Sequence, residues 1–230
     1  MDLRVEVDGV VAAMIAGAGL KLLLHREDGL LDRYTEDIER DFDGVAQRKA
    51  MDKEGIDVTV LYPTRGLYAN WHQGMDPKFS NAIARAYNDW MYDHCQQGDP
   101  KRMFGAASVP IQDVGMAIVE ARRAVTQLGF KAILVRPNPP EKGVYYHHNT
   151  FDPLWEAVQA LDVPIGFHEG SAANLPEVGM DRFGLHEFNL MHTSSHAMEQ
   201  MLALSATTLG GVLERFPRLK MAYLEGNGSW

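Results

Sequence analysis

Short apolar runs alternate with amphipathic stretches along most of this chain. The runs read as buried strands: Ile56–Tyr62, stopped by Pro63; Met103–Val109, stopped by Pro110; Phe130–Val135; Pro164–Phe167; and Leu219–Leu224. Between them the apolar positions recur at helical spacing. A helix starts near Thr35 with acidic residues in its first turn, sets Ile38, Phe42, Val45, Ala46 and Met51 on one face and stops at Gly55. Asp76-Pro77 opens a second helix running to Tyr92, with Ile83, Ala86, Trp90 and Met91 expected on its buried side. Val114–Leu128 forms a third, ended by Gly129, and Thr150-Phe151-Asp152-Pro153 caps a fourth that ends at Leu161. A long loop is expected from the end of the Pro164–Phe167 strand to about Ser195, and a last helix from His196 to Phe216. Trp90 and Trp155 fall at core spacing.

Strand, helix, strand order with short apolar strands indicates βαβ units and a parallel sheet. Ahead of it, Leu3–Val7 and Val10–Ile15 flank Asp8-Gly9, a strong hairpin signal. Neither a glycine-rich phosphate turn nor a P-loop is present, which lowers nucleotide binding and raises a barrel. The fold class is therefore α/β: a partial (β/α)8 TIM barrel with an N-terminal β-hairpin extension, lacking the first strand and the last strands. Residues 1–34 make the hairpin or insertion segment and residues 35–230 the incomplete barrel. A closed barrel typically takes ~250 residues and eight units, so the chain is expected to be an internal piece of a longer protein. Missing strands leave open edges, which favour association into homo-oligomers.

Composition narrows the partners. The chain has a net charge of −9 with no Lys/Arg cluster, which argues against a nucleic-acid groove or an anionic membrane surface. The Val10–Leu24 stretch lacks the length and basic start of a spanning or targeting segment. One cysteine, Cys95, excludes an intrachain disulfide and fits a reducing, cytoplasmic compartment.

The chemistry collects at strand ends, where parallel α/β proteins gather ligands and catalytic groups. Val163-Pro164-Ile165-Gly166-Phe167-His168-Glu169-Gly170 ends in a histidine, and Leu219-Lys220-Met221-Ala222-Tyr223-Leu224-Glu225-Gly226 repeats the form with a carboxylate. His168 is either a ligand for a divalent metal or a histidine bonded to backbone at the sheet edge. Glu225 is either part of that site or a rim salt bridge. Arg136 ends the Phe130–Val135 run; it either grips a substrate carboxylate through paired hydrogen bonds or packs in the proline-rich loop that follows. His192 and His196 stand four apart without a zinc-helix motif, and Ser194 and Ser195 look like helix caps. His196, in the first turn of its expected helix, is a candidate for substrate contact or catalysis. Other rim-loop candidates are Tyr62, Thr64, Arg65, His147, His148 and His186.

Two longer strings, Phe151-Asp152-Pro153-Leu154-Trp155-Glu156-Ala157 leading to Val163–His168, and Gly211-Val212-Leu213-Glu214-Arg215-Phe216-Pro217-Arg218-Leu219-Lys220, together with Arg136-Pro137-Asn138-Pro139, resemble the amidohydrolase-related family. That family includes the aminocarboxymuconate-semialdehyde decarboxylases and related aromatic-acid decarboxylases. The resemblance covers most of the chain from about Ile56. It implies a metal-dependent barrel enzyme with one divalent ion, zinc or manganese, whose ligands are a first-strand His-x-His, a fifth-strand histidine and an eighth-strand aspartate. By this likeness His168 is the fifth-strand metal ligand, and Glu225 takes the sixth-strand place as metal ligand or proton-transfer group. The first-strand pair and the eighth-strand aspartate have no counterpart here, so the hairpin reads as an insertion after a missing first strand. The implied activity is carboxy-lyase chemistry on a small aromatic or unsaturated carboxylic acid, with Arg136 or His196 on the carboxylate. The alternatives are hydrolysis of a C–N or C–O bond, or a catalytically inert truncated product or interaction module.

Overall fold

The structure, a computed structural model, describes residues 5–7, 10–13, 35–63, 67, 69–168, 178–184 and 186–226. Val5–Val7 (β1) and Val10–Ala13 (β2) pair antiparallel with Val7 opposite Val10, the hairpin expected around Asp8-Gly9. The remaining strands form one parallel sheet in chain order: Thr59–Leu61 (β3), Met103–Ser108 (β4), Ala132–Val135 (β5), Ile165–His168 (β6) and Met221–Leu224 (β7). Sequential neighbours joined through helices give a five-stranded half-barrel. The strand ends that carry the candidate residues therefore share one rim.

Three of the helices start where a carboxylate takes an orphan N–H. Asp43 caps Gly44–Glu54 (α2) through Ala46 N, Asp76 caps Pro77–Gly98 (α3) through Phe79 N, and Asp113 caps Val114–Thr126 (α4) through Met116 N. Gly55, at φ 69°, closes α2 in the left-handed conformation that glycine adopts without strain. Asp152–Leu161 (α5) contributes Leu154, Trp155 and Val158 to the same buried core as Ile133, Val135, Ile165 and Phe167. Trp155 is fully buried, as its spacing predicts, and its indole N–H donates to the Tyr146 carbonyl at 3.2 Å.

Four expectations need correction. The helix expected from Thr35 to Gly55 is two, Thr35–Glu39 (α1) and α2, broken where Asp41 and Phe42 take positive φ of 50° and 52°. Arg40 binds the Asp43 cap at that break, and Phe42 is 58% exposed instead of facing the core. Trp90 is likewise exposed, at 56%, and the buried face of α3 is Ser80, Ala84, Asn88, Met91 and Cys95. A hydrophobicity pattern misses that face because two of its five positions are polar and satisfied by hydrogen bonds. α3 also continues past Tyr92 to Gly98. Finally, the expected long loop holds Met180–Phe183 (α6), and the last long helix begins earlier and ends sooner, as Phe188–Thr208 (α7), before Val212–Arg215 (α8). Gly211, at φ 77°, separates α7 from α8.

Candidate active site

The β6–β7 register builds the site. Phe167 stands opposite Tyr223 and His168 opposite Leu224, and the two aromatic rings stack at 5.3 Å with planes 5° apart. Paired residues of a parallel sheet share a face, and the next residue along a strand points the other way. Continued extension would carry Glu225 to the face opposite His168. Instead Glu225 takes φ +60°, an uncommon conformation for a residue with a Cβ. The left-handed turn brings its carboxylate back: Oε2 lies 3.7 Å from His168 Nδ1 and 3.5 Å from His196 Nε2.

His196 comes from α7. It stands two turns in, not in the first turn as its spacing predicts, and Ser194 and Ser195 are not caps: their hydroxyls donate back to the carbonyls of Leu190 and His192. The His196 Nδ1–H donates to the His192 carbonyl at 2.9 Å. A carbonyl only accepts, so Nδ1 carries the proton and Nε2 faces Glu225, with a free lone pair whenever the ring is neutral. His192 packs edge-on against His196 with centroids 4.0 Å apart. Burial and the adjacent His196 hold its pKa below the ordinary histidine range, against an opposing pull from Glu225. Four residues beyond His196, the Gln200 amide donates to the carbonyls of Phe167 at 3.0 Å and Leu224 at 2.8 Å, tying the ends of β6 and β7 to one helix.

Tyr62, just past β3, lays its ring over His168 with centroids 5.7 Å apart. Burial pushes its phenol up to about 12, so it stays a neutral hydrogen-bonding group. Arg136 lies beyond β5 and is fully buried, with Nε donating to Asn138 Oδ1 at 3.0 Å. Tyr146 donates to the Asn138 carbonyl at 3.2 Å, and Glu199 of α7 accepts from Val178 N. The rim thus brings His168, Glu225 and His196 together, while Arg136 stands in a buried polar group with Asn138. Thr64 and Arg65 lie outside the described residues. Among the described residues no three of His, Cys, Asp and Glu form a ready-made metal cage.

Sequence reasoning passed over Gln200, Glu199, Asn138 and His72. The first two were findable from helical spacing, since i+3 and i+4 from His196 lie on its face. Asn138 sat in a motif read for its prolines. His72 sits in the loop after β3, where any polar residue is a rim candidate.

A parallel sheet with its polar groups gathered at the carboxyl rim is the arrangement of the (β/α)8 barrel enzymes. The sequence model described as "Amidohydrolase" matches residues 25–230, and the chain belongs to that family. It is 31% identical over 178 residues to the gamma-resorcylate decarboxylase of Polaromonas sp. (strain JS666 / ATCC BAA-500), covering 75% of this chain and 52% of that protein. It is 26% identical over 180 residues to the 2-amino-3-carboxymuconate-6-semialdehyde decarboxylase of Dictyostelium discoideum, covering 78% and 46%. Among solved structures, the 5-carboxyvanillate decarboxylase of Novosphingobium aromaticivorans, complexed with manganese and 4-hydroxy-3-methoxy-5-nitrobenzoic acid, superposes with TM-score 0.66 at 26% identity, over 90% of this chain and 55% of that one. A 2,6-dihydroxybenzoate decarboxylase complexed with 2,6-dihydroxybenzoate gives TM-score 0.62 at 25% identity, over 76% and 53%. The chain spans about half the length of the curated relatives it matches.

Proposed function

We propose that this chain carries part of the active site of a metal-dependent carboxy-lyase that removes carbon dioxide from a small aromatic or unsaturated carboxylic acid. One observation carries the reading: two imidazoles from different elements converge on a single oxygen of Glu225 at the carboxyl rim. Relatives and structural neighbours named as decarboxylases, some with manganese and an aromatic acid bound, favour lyase over hydrolase chemistry.

The residues fit a divalent ion, zinc or manganese, in part. Two ligands of one tetrahedral ion stand about 3.4 Å apart when each bond is ~2.0–2.2 Å, and His168 Nδ1 and Glu225 Oε2 are 3.7 Å apart. His196 also shows the backbone bond that fixes the tautomer of metal-binding histidines. His168 and Glu225 would hold the ion, which when bound supplies a Lewis acid for the substrate carboxylate. Arg136, a rigid buried cation near the same rim, is assigned to the carboxylate or its ring substituents. The ring–carboxylate C–C bond breaks, its electron pair stays on the ring carbon, carbon dioxide leaves, and a proton takes its place. Glu225 and His196 are placed to hold and deliver that proton.

The wider assignments follow the same reading. Residues 35–230 make the barrel unit and residues 1–34 a separate hairpin-bearing segment. The chain works in the cytoplasm on a small-molecule carboxylate, not on nucleic acid or a membrane, and associates with copies of itself. No described helix is long and apolar enough to cross a membrane.

The test is metal content after dialysis. Wild-type protein is expected to retain manganese or zinc; His168→Ala and Glu225→Gln should each lower metal affinity by about 10- to 100-fold or more. Unchanged affinity in both would remove the metalloenzyme reading. Carbon dioxide release from hydroxylated benzoic acids then separates lyase from hydrolase.

A further inference from the structure

The side of α7 turned away from the sheet is apolar and uncharged. From its middle onward the helix buries Ser195, Glu199, Gln200, Ala203 and Thr207. On the opposite side Leu190, Met198, Met201 and Leu202 are between 38% and 56% exposed. Leu209 continues that side in helical backbone, with its N–H on the Ser205 carbonyl at 2.9 Å, and is 89% exposed. At 3.6 residues per turn the five side chains share an arc of about 120°. From Phe188 to Leu209 the chain holds a single Asp, Glu, Lys or Arg, which is Glu199, and Glu199 is buried. Copies of a chain with net charge −9 repel one another. This face lets two of them meet with no charge to desolvate.

The order of side chains along the face indicates what covers it. In a two-fold pair one patch meets itself. On two antiparallel helices, residues equally far on either side of the axis then stand together. Counted outward from the midpoint between Glu199 and Gln200, the two directions pair Met198 with Met201, Ala197 with Leu202, Ser194 with Ser205, and Leu190 with Leu209. Methionine meets methionine, a small residue meets a large one, serine meets serine, and leucine meets leucine. The face is its own complement when reversed. Its five large side chains expose on the order of 500 Å² per copy, so a pair covers about 1,000 Å², the least that a specific interface needs.

We propose that α7 is a homodimer interface, in which two copies pack α7 against α7 antiparallel about a two-fold axis at residues 199 and 200. The proposal rests on the reading of this chain as self-associating and gives that association a surface. The surface is separate from the β3 edge: Gln200 ties α7 to β6 and β7, at the other end of the sheet.

Single cysteines test the register. Positions 190 and 209 lie ~28 Å apart along one helix, so in the antiparallel pair position 190 faces position 209 of the other copy and stands far from its own counterpart. Under mild oxidation an equimolar mixture of Leu190→Cys and Leu209→Cys chains should give at least about fivefold more covalent dimer than either variant alone. The native Cys95 is buried and common to all samples. Met198→Lys should weaken dimerisation, read by sedimentation velocity, by at least about tenfold. Its melting temperature at high dilution, where wild type is also dissociated, should match wild type. If either single variant crosslinks as well as the mixture, the antiparallel pairing is wrong and the proposal falls. If Met198→Lys associates as tightly as wild type, another surface makes the contact; the proposal falls and self-association stands. Should Met198→Lys fail to fold, the cysteine comparison decides alone. Wild type that stays monomeric at every concentration overturns self-association and this proposal together. A monomer that instead cosediments with phosphatidylcholine vesicles would make the face a lipid-binding one and overturn the proposal in the same way.

Discussion

Asn88 shows how much one polar side chain can decide. It is fully buried in α3, donates to the Ser108 carbonyl at 2.9 Å, accepts from the Ser108 N–H at 2.9 Å, and donates to Glu120 at 2.7 Å. Glu120, itself almost wholly buried, also pairs with Arg85 and Arg123. Asn88→Ala would leave the end of β4 and a buried carboxylate short of partners. A loss of about 3 kcal/mol is expected, which thermal unfolding would register as a drop of about 6–12 °C; an unchanged melting temperature would show that the clamp contributes nothing net. Three histidines contribute to the loss of stability in acid. Burial keeps His72, His94 and His192 below the ordinary histidine range, with help from Arg136 at His72 and His196 at His192, and with an opposing pull from Asp43 at His94. Near pH ~6.5 the unfolded chain binds protons that the folded chain refuses, so the unfolded state gains as pH falls. Melting temperature should therefore decline from about pH 7 to about pH 5.5. His94→Gln, away from the rim, should flatten that slope without altering metal content, and a slope as steep as wild type would remove His94 from the account.

At the scale of elements, β6 needs glycine at 166 for a reason outside its own strand. A Cβ there would collide with the Tyr62 phenol, and the Tyr62 ring is the one laid over His168. Tyr62 is only partly buried and can yield, so Gly166→Ala should cost little stability yet displace the ring from His168. Weakened metal retention with a nearly unchanged melting temperature is the expected pair of results. The same strand shows what the sequence made legible. Alternating apolar runs and helices disclosed the parallel sheet and its order, and residues that end strands pointed to His168 and Glu225, because in this architecture position along a strand sets position in the molecule. Less visible were features that depend on contacts between elements. Period alone put Trp90 inside, whereas the inward face of α3 is chosen by Ser80 and Asn88 bonding to other elements. Helix breaks at Phe42 and Gly211 depend on local backbone conformation, which an apolar pattern does not encode. His196 was placed near the site but in the wrong turn, because the polar run from His192 to Ser195 resembles a helix start although it lies within α7.

For the whole molecule, the described sheet has two outer strands, β3 and β7, each hydrogen-bonded to a single neighbour among the described residues. Val60 on β3 and nearby Ile56 and Val58 are exposed. Such an edge is a template for another chain. Sedimentation velocity is expected to show concentration-dependent self-association, and Val60→Lys should shift it toward monomer; a single monomer boundary at every concentration would contradict this. Across the sheet from β3, the Gln200 amide holds Phe167 of β6 and Leu224 of β7 one helical turn from His196. A ligand that tugged on the imidazole would strain that fastening as well, so the side-chain amide signals of Gln200 offer a magnetic-resonance reporter of occupancy that never touches the ligand itself.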